Sequence, residues 1–130
     1  VLNDKATIIF IGSVASHMPT PEYEVYSATK LALESFVRSW RWEVRERFDV
    51  KIYLPGAMKT SFHDTVGFKP TEKLKKKFAE PRVVAQKIWK FSQSKSWRKG
   101  DGMASLLLFV DQRVPSLLDG IFSFNKKASQ

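Results

Sequence analysis

The sequence has 130 residues, 43% of them hydrophobic and 13% aromatic, and no cysteine, which excludes a disordered tail, a disulfide framework and a thiolate metal site. Its formal charge of +9 comes from one stretch: residues 1–68 hold 8 basic and 8 acidic residues, residues 69–99 hold 11 and 2, and residues 100–130 hold 3 and 3. A uniformly basic surface is therefore excluded, and the chain reads as one small domain or a portion of a larger one.

Residues 6–11 (ATIIFI) form a short apolar, β-branched run that ends at Gly12, which predicts a strand buried on both faces as in a parallel sheet. Residues 13–22 carry two prolines and two serines and predict a loop. From Glu24 to Phe48 no glycine or proline intervenes, and Val25, Ala28, Ala32, Phe36, Trp40 and Val44 recur at helical spacing, so one long helix is predicted. Residues 50–54 (VKIYL) predict a second strand, closed by Pro55-Gly56. Strand, helix and strand make a βαβ unit, with a right-handed crossover expected.

Residues 57–69 read as a loop, residues 71–79 as a short Lys-rich helix, and Pro81 as the first turn of another helix whose apolar face holds Val84, Ala85, Ile88, Trp89 and Phe91. Residues 92–102 are polar and basic. Residues 103–109 and 114–124 suggest two apolar helices split before Pro115. Asp111, Gln112, Arg113 and Asp119 interrupt that apolar stretch, and each such charge costs roughly 2.5–3.5 kcal/mol at a bilayer centre, so no spanning helix is expected. The opening residues show no basic region followed by an apolar core. No signal peptide is expected on that pattern, and a cytoplasmic or peripherally membrane-associated placement follows.

The most specific pattern is Tyr26-Ser27-Ala28-Thr29-Lys30, 13 residues after Ser13. Residues four apart on a helix share a face, so Tyr26 and Lys30 stand together. An ammonium beside a phenol favours the phenolate and makes it a better proton-transfer group. A hydroxyl such as that of Ser13, at the C-terminal end of a parallel strand, lies where open α/β sheets bind ligands. Donor, acid and cation together suit hydride transfer to or from a ketone. Taken alone, Tyr and Lys at this spacing mark an ordinary helix surface; the order of buried strand, Gly-Ser, proline-containing loop, Tyr-x-x-x-Lys, strand and Pro-Gly is what carries the signal.

In that order the sequence resembles the short-chain dehydrogenase/reductase family, strongly over residues 6–81 and more weakly to about residue 124. The resemblance implies a partial Rossmann-like, doubly wound α/β sheet. It implies catalytic Ser13, Tyr26 and Lys30, with Ser13 orienting the substrate carbonyl and Lys30 holding the nicotinamide ribose of NAD or NADP. Pro55, Gly56 and Thr60 would join Tyr26 and Lys30 in binding the cofactor, and Ala15 and His17 would join Ser13 and Tyr26 in lining the site for a lipophilic ketone or secondary alcohol. It further implies a homo-oligomer formed through the helix from Glu24.

The family's first strand, glycine-rich phosphate loop, Asn-Ala-Gly segment and catalytic asparagine have no counterpart here, and Gly100-x-Gly102 is not read as a nucleotide motif, because no strand is predicted before it and Ser105 stands at the third glycine's place. The sequence is thus expected to be a single partial domain, with a catalytic βαβ segment at 1–60 and a substrate-lid loop and C-terminal helices at 61–130. By itself it is expected to be inactive.

His17 and His63 are the only histidines, and no spacing gathers them with carboxylates into a metal site. Each reads first as an exposed loop residue. The basic stretch reads first as a solvated face of two helices and second as an attraction for an anionic membrane surface; it gives nucleic acid little support, because Trp89 is assigned to an apolar helix face. The alternative function is a truncated, non-enzymatic remnant that binds a membrane surface or a protein partner through residues 69–99.

Overall fold

The computed structural model describes residue 3, residues 5–18, 22–65 and 70–102, and residue 106. The elements are strand β1 (Thr7–Ile11), a 3₁₀ turn (Val14–His17), helix α1 (Glu24–Glu43), strand β2 (Asp49–Leu54), helices α2 (Phe62–Thr65), α3 (Glu72–Lys75) and α4 (Pro81–Ser92), and strand β3 (Arg98–Gly100). The predicted helices at 103–109 and 114–124 lie outside the described residues.

Three parallel strands form one sheet in the order β1-β2-β3. Side chains alternate across a strand, so the central β2 feeds two cores. Val50, Ile52 and Leu54 pack with Val14 and Val37, joined by Ile8, Phe10, Leu33 and Trp40, on the α1 face. Tyr53 packs with Val84 and Phe91, joined by Ile9 and Ile88, on the α4 face. Burial drives both layers, since Val37, Ile52, Tyr53 and Leu54 are wholly removed from water.

Lys51 shares the α4 side with Tyr53 and is 2% exposed. Its ammonium has three donors, and three acceptors meet it: the Ser92 carbonyl at 2.9 Å, the Ser94 carbonyl at 2.5 Å and the Asp49 carboxylate at 3.0 Å. A cation at the C-terminal end of α4 also opposes the helix dipole. The charge is thereby tolerated in a buried strand.

Several expectations change. The sheet has three described strands rather than two. Arg98-Lys99-Gly100 has no apolar alternation; its extended form is imposed by pairing with the free edge of β2, where the Ile52 amide bonds the Trp97 carbonyl at 2.8 Å. Strand β1 is not buried on both faces, for Thr7 and Ile11 are exposed and it lies at the sheet edge. Helix α1 ends at Glu43, five residues early. The amides of Arg47 and Phe48 both bond the Val44 carbonyl at 2.9 Å, which closes the helix and turns the chain into β2.

The Lys-rich helix is a single turn, because Ala79 pairs with the segment after β2: its amide bonds the Ala57 carbonyl, and its carbonyl accepts the Lys59 amide, each at 3.0 Å. Trp89 is 70% exposed instead of lying on the apolar face. Val84, Ile88 and Phe91 follow the i, i+4, i+7 stripe, and Trp89 falls about 100° past Ile88. Among the described residues, no helix is long and apolar enough to cross a membrane.

The two faces of α4 predict opposite mutational outcomes. Phe91→Ala should cost about 3–5 kcal/mol of unfolding free energy, and Trp89→Ala should stay within about 0.5 kcal/mol of the parent, both read from urea denaturation. A larger loss at Trp89 than at Phe91 would contradict the assigned helix face.

Candidate active site

The site is built at the C-terminal ends of β1 and β2. The parallel register pairs Ile11 with Tyr53, and the Gly12 amide extends the ladder to the Tyr53 carbonyl at 2.8 Å. Gly12 passes so close to β2 that a Cβ would collide with the Leu54 side chain and crowd Ile52 at 3.2 Å. Glycine is therefore required by packing at the point where the strand delivers Ser13.

Ser13 is extended and buried, and it caps the 3₁₀ turn by accepting the Ala15 amide on its Oγ at 3.1 Å. Accepting there leaves the hydroxyl proton for another acceptor. The Val14 amide bonds the Pro55 carbonyl at 3.2 Å, which ties the turn to the end of β2. The Ser16 hydroxyl returns to the Ser13 carbonyl at 2.5 Å.

Helix α1 is fastened to this rim by two bonds. The Ser27 hydroxyl donates to the Ala15 carbonyl at 3.1 Å, and the Lys30 Nζ donates to the Ile11 carbonyl at 3.1 Å. One of three ammonium donors is so used, and the Lys30 Nζ lies 5.8 Å from the centre of the Tyr26 ring. Ser13, Tyr26 and Lys30 thus come from a strand end and one helix face onto a common rim. Pro55 is buried there through its bond to Val14, and Gly56 beside it is half-buried, with open space where a Cβ would stand. Ala15 contributes through its backbone, which joins Ser13 to Ser27. Thr60 is exposed on the approach to α2, where its Oγ1 accepts the Phe62 amide at 3.4 Å.

Tyr26 carries an aromatic surround. Phe62 from α2 lies 5.1 Å from its ring centre, and Tyr23 lies 5.7 Å away, edge-on. The Tyr23 hydroxyl contacts His63 Nδ1 at 3.2 Å, and the His63 ring lies 4.7 Å from Phe78. Burial, and then the neighbouring Tyr26 and Glu22, push the Tyr23 phenol above its ordinary value. Residue spacing offered a signal for Tyr23, which precedes Tyr26 by one helical turn. Phe62 carried none, since it reaches the site only through the loop after β2.

His17 is not an exposed loop residue. Its Nε2 lies 2.8 Å from Glu34 Oε2, and Arg98 Nε lies 2.5 Å from Glu34 Oε1, with the three side chains only 11%, 12% and 18% exposed respectively. Burial alone would raise the Glu34 carboxyl. The hydrogen bond from His17, together with the Arg98 and His17 charges, outweighs it and holds Glu34 below its ordinary value.

Three parallel strands with helices packed on both faces define a Rossmann-like α/β fold. The family model for short chain dehydrogenases matches residues 2–69, more than half of the sequence, and the chain belongs to that family. Among solved structures it is similar to a short-chain dehydrogenase from Streptomyces avermitilis, with a TM-score of 0.61 and 22% identity. The match covers 95% of this chain and 51% of that one, so the chain spans about half the length of its structural relative. No curated protein matches the sequence.

The Glu34 environment sets a pH dependence. A carboxyl held below its unfolded value contributes stability above that value and loses it as pH falls through the folded one. The stability gap between the parent and Glu34→Gln should therefore be widest at neutral pH and shrink as pH falls below the ordinary value of 4.5. Urea unfolding across that range tests it; a gap that does not change with pH would contradict the assignment.

Proposed function

We propose that this chain supplies the proton-transfer and substrate side of an NAD(P)-dependent oxidoreductase that interconverts a ketone and a secondary alcohol. The observation that carries this reading is the Lys30 bond to the Ile11 carbonyl, which fixes a cation on the Tyr26 face of α1 beside the Ser13 turn. The rim suits a nicotinamide cofactor: Lys30 has two further donors to offer a ribose, and Gly56 leaves open space beside Pro55. When bound, the nicotinamide supplies or accepts the hydride at the carbonyl carbon.

The protein residues handle the oxygen. Ser13 donates a hydrogen bond to the carbonyl oxygen and fixes its orientation. Tyr26 gives its phenolic proton to that oxygen as the carbon gains hydride, and in the reverse direction takes the hydroxyl proton of the alcohol. Lys30 stabilises the phenolate that remains. Phe62 and Tyr23 exclude water from one side of the Tyr26 ring and favour an apolar substituent on the substrate.

Oligomer formation through α1 belongs to the same reading. Val25 is 79% and Phe36 52% exposed, and Ala28 and Ala32 lie between them on one helical stripe. Phe36 stacks on Trp40, with ring centres 5.6 Å apart, which gives the stripe a rigid aromatic end. A second copy of α1 packed there by two-fold symmetry would cover it.

Two measurements test the proposal in the complete protein. Tyr26→Phe should lower carbonyl-dependent oxidation of NAD(P)H by at least about 100-fold while the protein stays folded, and retained turnover would exclude Tyr26 as the acid. Phe36→Glu should shift the particle to lower mass in sedimentation; an unchanged oligomer would remove α1 from the interface.

A further inference from the structure

We propose that Glu34 is a positioning residue for this reaction, anchoring the turn that bears Ser13 to α1 and β3 through His17 and Arg98. This rests on the reading that Ser13 and Tyr26 act together on a carbonyl. Tyr26, Lys30 and Glu34 succeed one another at intervals of four on α1, so all three lie along one side of the helix. The first two face the reaction. Glu34 faces the far end of the Ser13 turn.

The turn has three attachments along its length. Val14 is held by the Pro55 carbonyl and Ala15 by the Ser27 hydroxyl, while His17, its last residue, is held by Glu34. A carboxylate only accepts hydrogen bonds, so the 2.8 Å contact places the proton of the His17 ring on Nε2. The Arg98 Nη2 lies 3.4 Å from that same Nε2, and its Nε faces Glu34 as an ion pair without a hydrogen bond, so two cationic or donor groups sit side by side against one carboxylate. Glu34 is their common partner, using one oxygen for each.

Removing its charge leaves Arg98 and His17 largely buried beside each other with no anion between them. The stress falls on a four-residue turn whose first hydrogen-bonding group is the Ser13 side chain. Such a short element transmits a tilt at one end to the other, and a misplacement of about 1 Å at a reacting group costs roughly 100-fold in rate. Glu34 touches neither substrate nor cofactor in this account; it sets where Ser13 points.

The test uses Glu34→Gln in the complete protein, with kcat and KM for carbonyl reduction and amide hydrogen exchange read together. The expected result is a kcat lower by roughly 10- to 100-fold, with KM within about 3-fold. Exchange should accelerate about 5-fold or more at the amides of Ala15, Ser16 and Met18 and stay unchanged at Ile52 and Leu54 in β2. Unchanged exchange in the turn overturns the proposal, and so does faster exchange with an unchanged kcat. If β2 exchange also rises, the variant is globally loosened, and Arg98→Lys decides instead: it keeps the charge and loses the planar fork, so a smaller change of the same pattern is expected, and its absence overturns the anchor. Tyr26→Phe run in parallel separates the two readings. Full activity there removes the reductase chemistry, while the exchange data still report whether Glu34 holds the turn.

Discussion

The parallel register of β1 on β2 is the constraint on which the rest of the structure depends. With Ile11 opposite Tyr53, Gly12 runs against Leu54 and the Val14 amide meets the Pro55 carbonyl. A slip of one residue would exchange every side chain of β1 between the two faces, sending Phe10 and Ile8 away from the α1 core. It would also move the Ile11 carbonyl that receives Lys30. Sheet register, helix attachment and the placement of Ser13 are therefore one geometric decision. Apolar burial makes that decision and polar contacts refine it.

The polar refinements are concentrated where elements end. Lys51 gathers the closing carbonyls of α4, Lys30 takes the last carbonyl of β1, Ser27 takes a carbonyl of the turn, and Glu34 joins α1 to the turn and to β3. The Lys51 and Glu34 contacts satisfy groups that burial would otherwise leave unpaired. The same bonds aim side chains. Lys30 supports the fold through the Ile11 carbonyl, which leaves its remaining donors for the proposed cofactor. Of the basic residues in 69–99, Arg98 takes part through Glu34, while Lys75 pairs with Glu72 and Lys87 with Asp101 away from the site.

Much of this was legible in the sequence, for identifiable reasons. The ATIIFI run, the unbroken stretch from Glu24 and the VKIYL run encode element type directly, and VKIYL its burial too, and the Tyr26-to-Lys30 spacing places two side chains on one helix face whatever surrounds them. What was not legible depends on distant partners. The strand at Arg98 is imposed by the edge of β2, and the Lys-rich helix is cut short by Ala79 pairing beside Met58. His17 read as a loop residue because Arg98 is 81 positions away in sequence, although Glu34, one turn past Lys30, could have been placed on the site's helix face. Trp89 was misassigned by one position around the helix, which its residue type concealed.

In the proposed function the β1 and β2 strand ends form a single site in which Ser13, Tyr26 and Lys30 act on one carbonyl at a nicotinamide. A crystal structure of the complete protein with a nicotinamide dinucleotide bound tests this most directly. The prediction is a nicotinamide ring at the rim beside Pro55 and Gly56, its ribose on Lys30, with the Ser13 and Tyr26 hydroxyls converging on a point within hydrogen-bond reach of both. A nicotinamide seated away from that rim, or Ser13 and Tyr26 too far apart to share an acceptor, would contradict it.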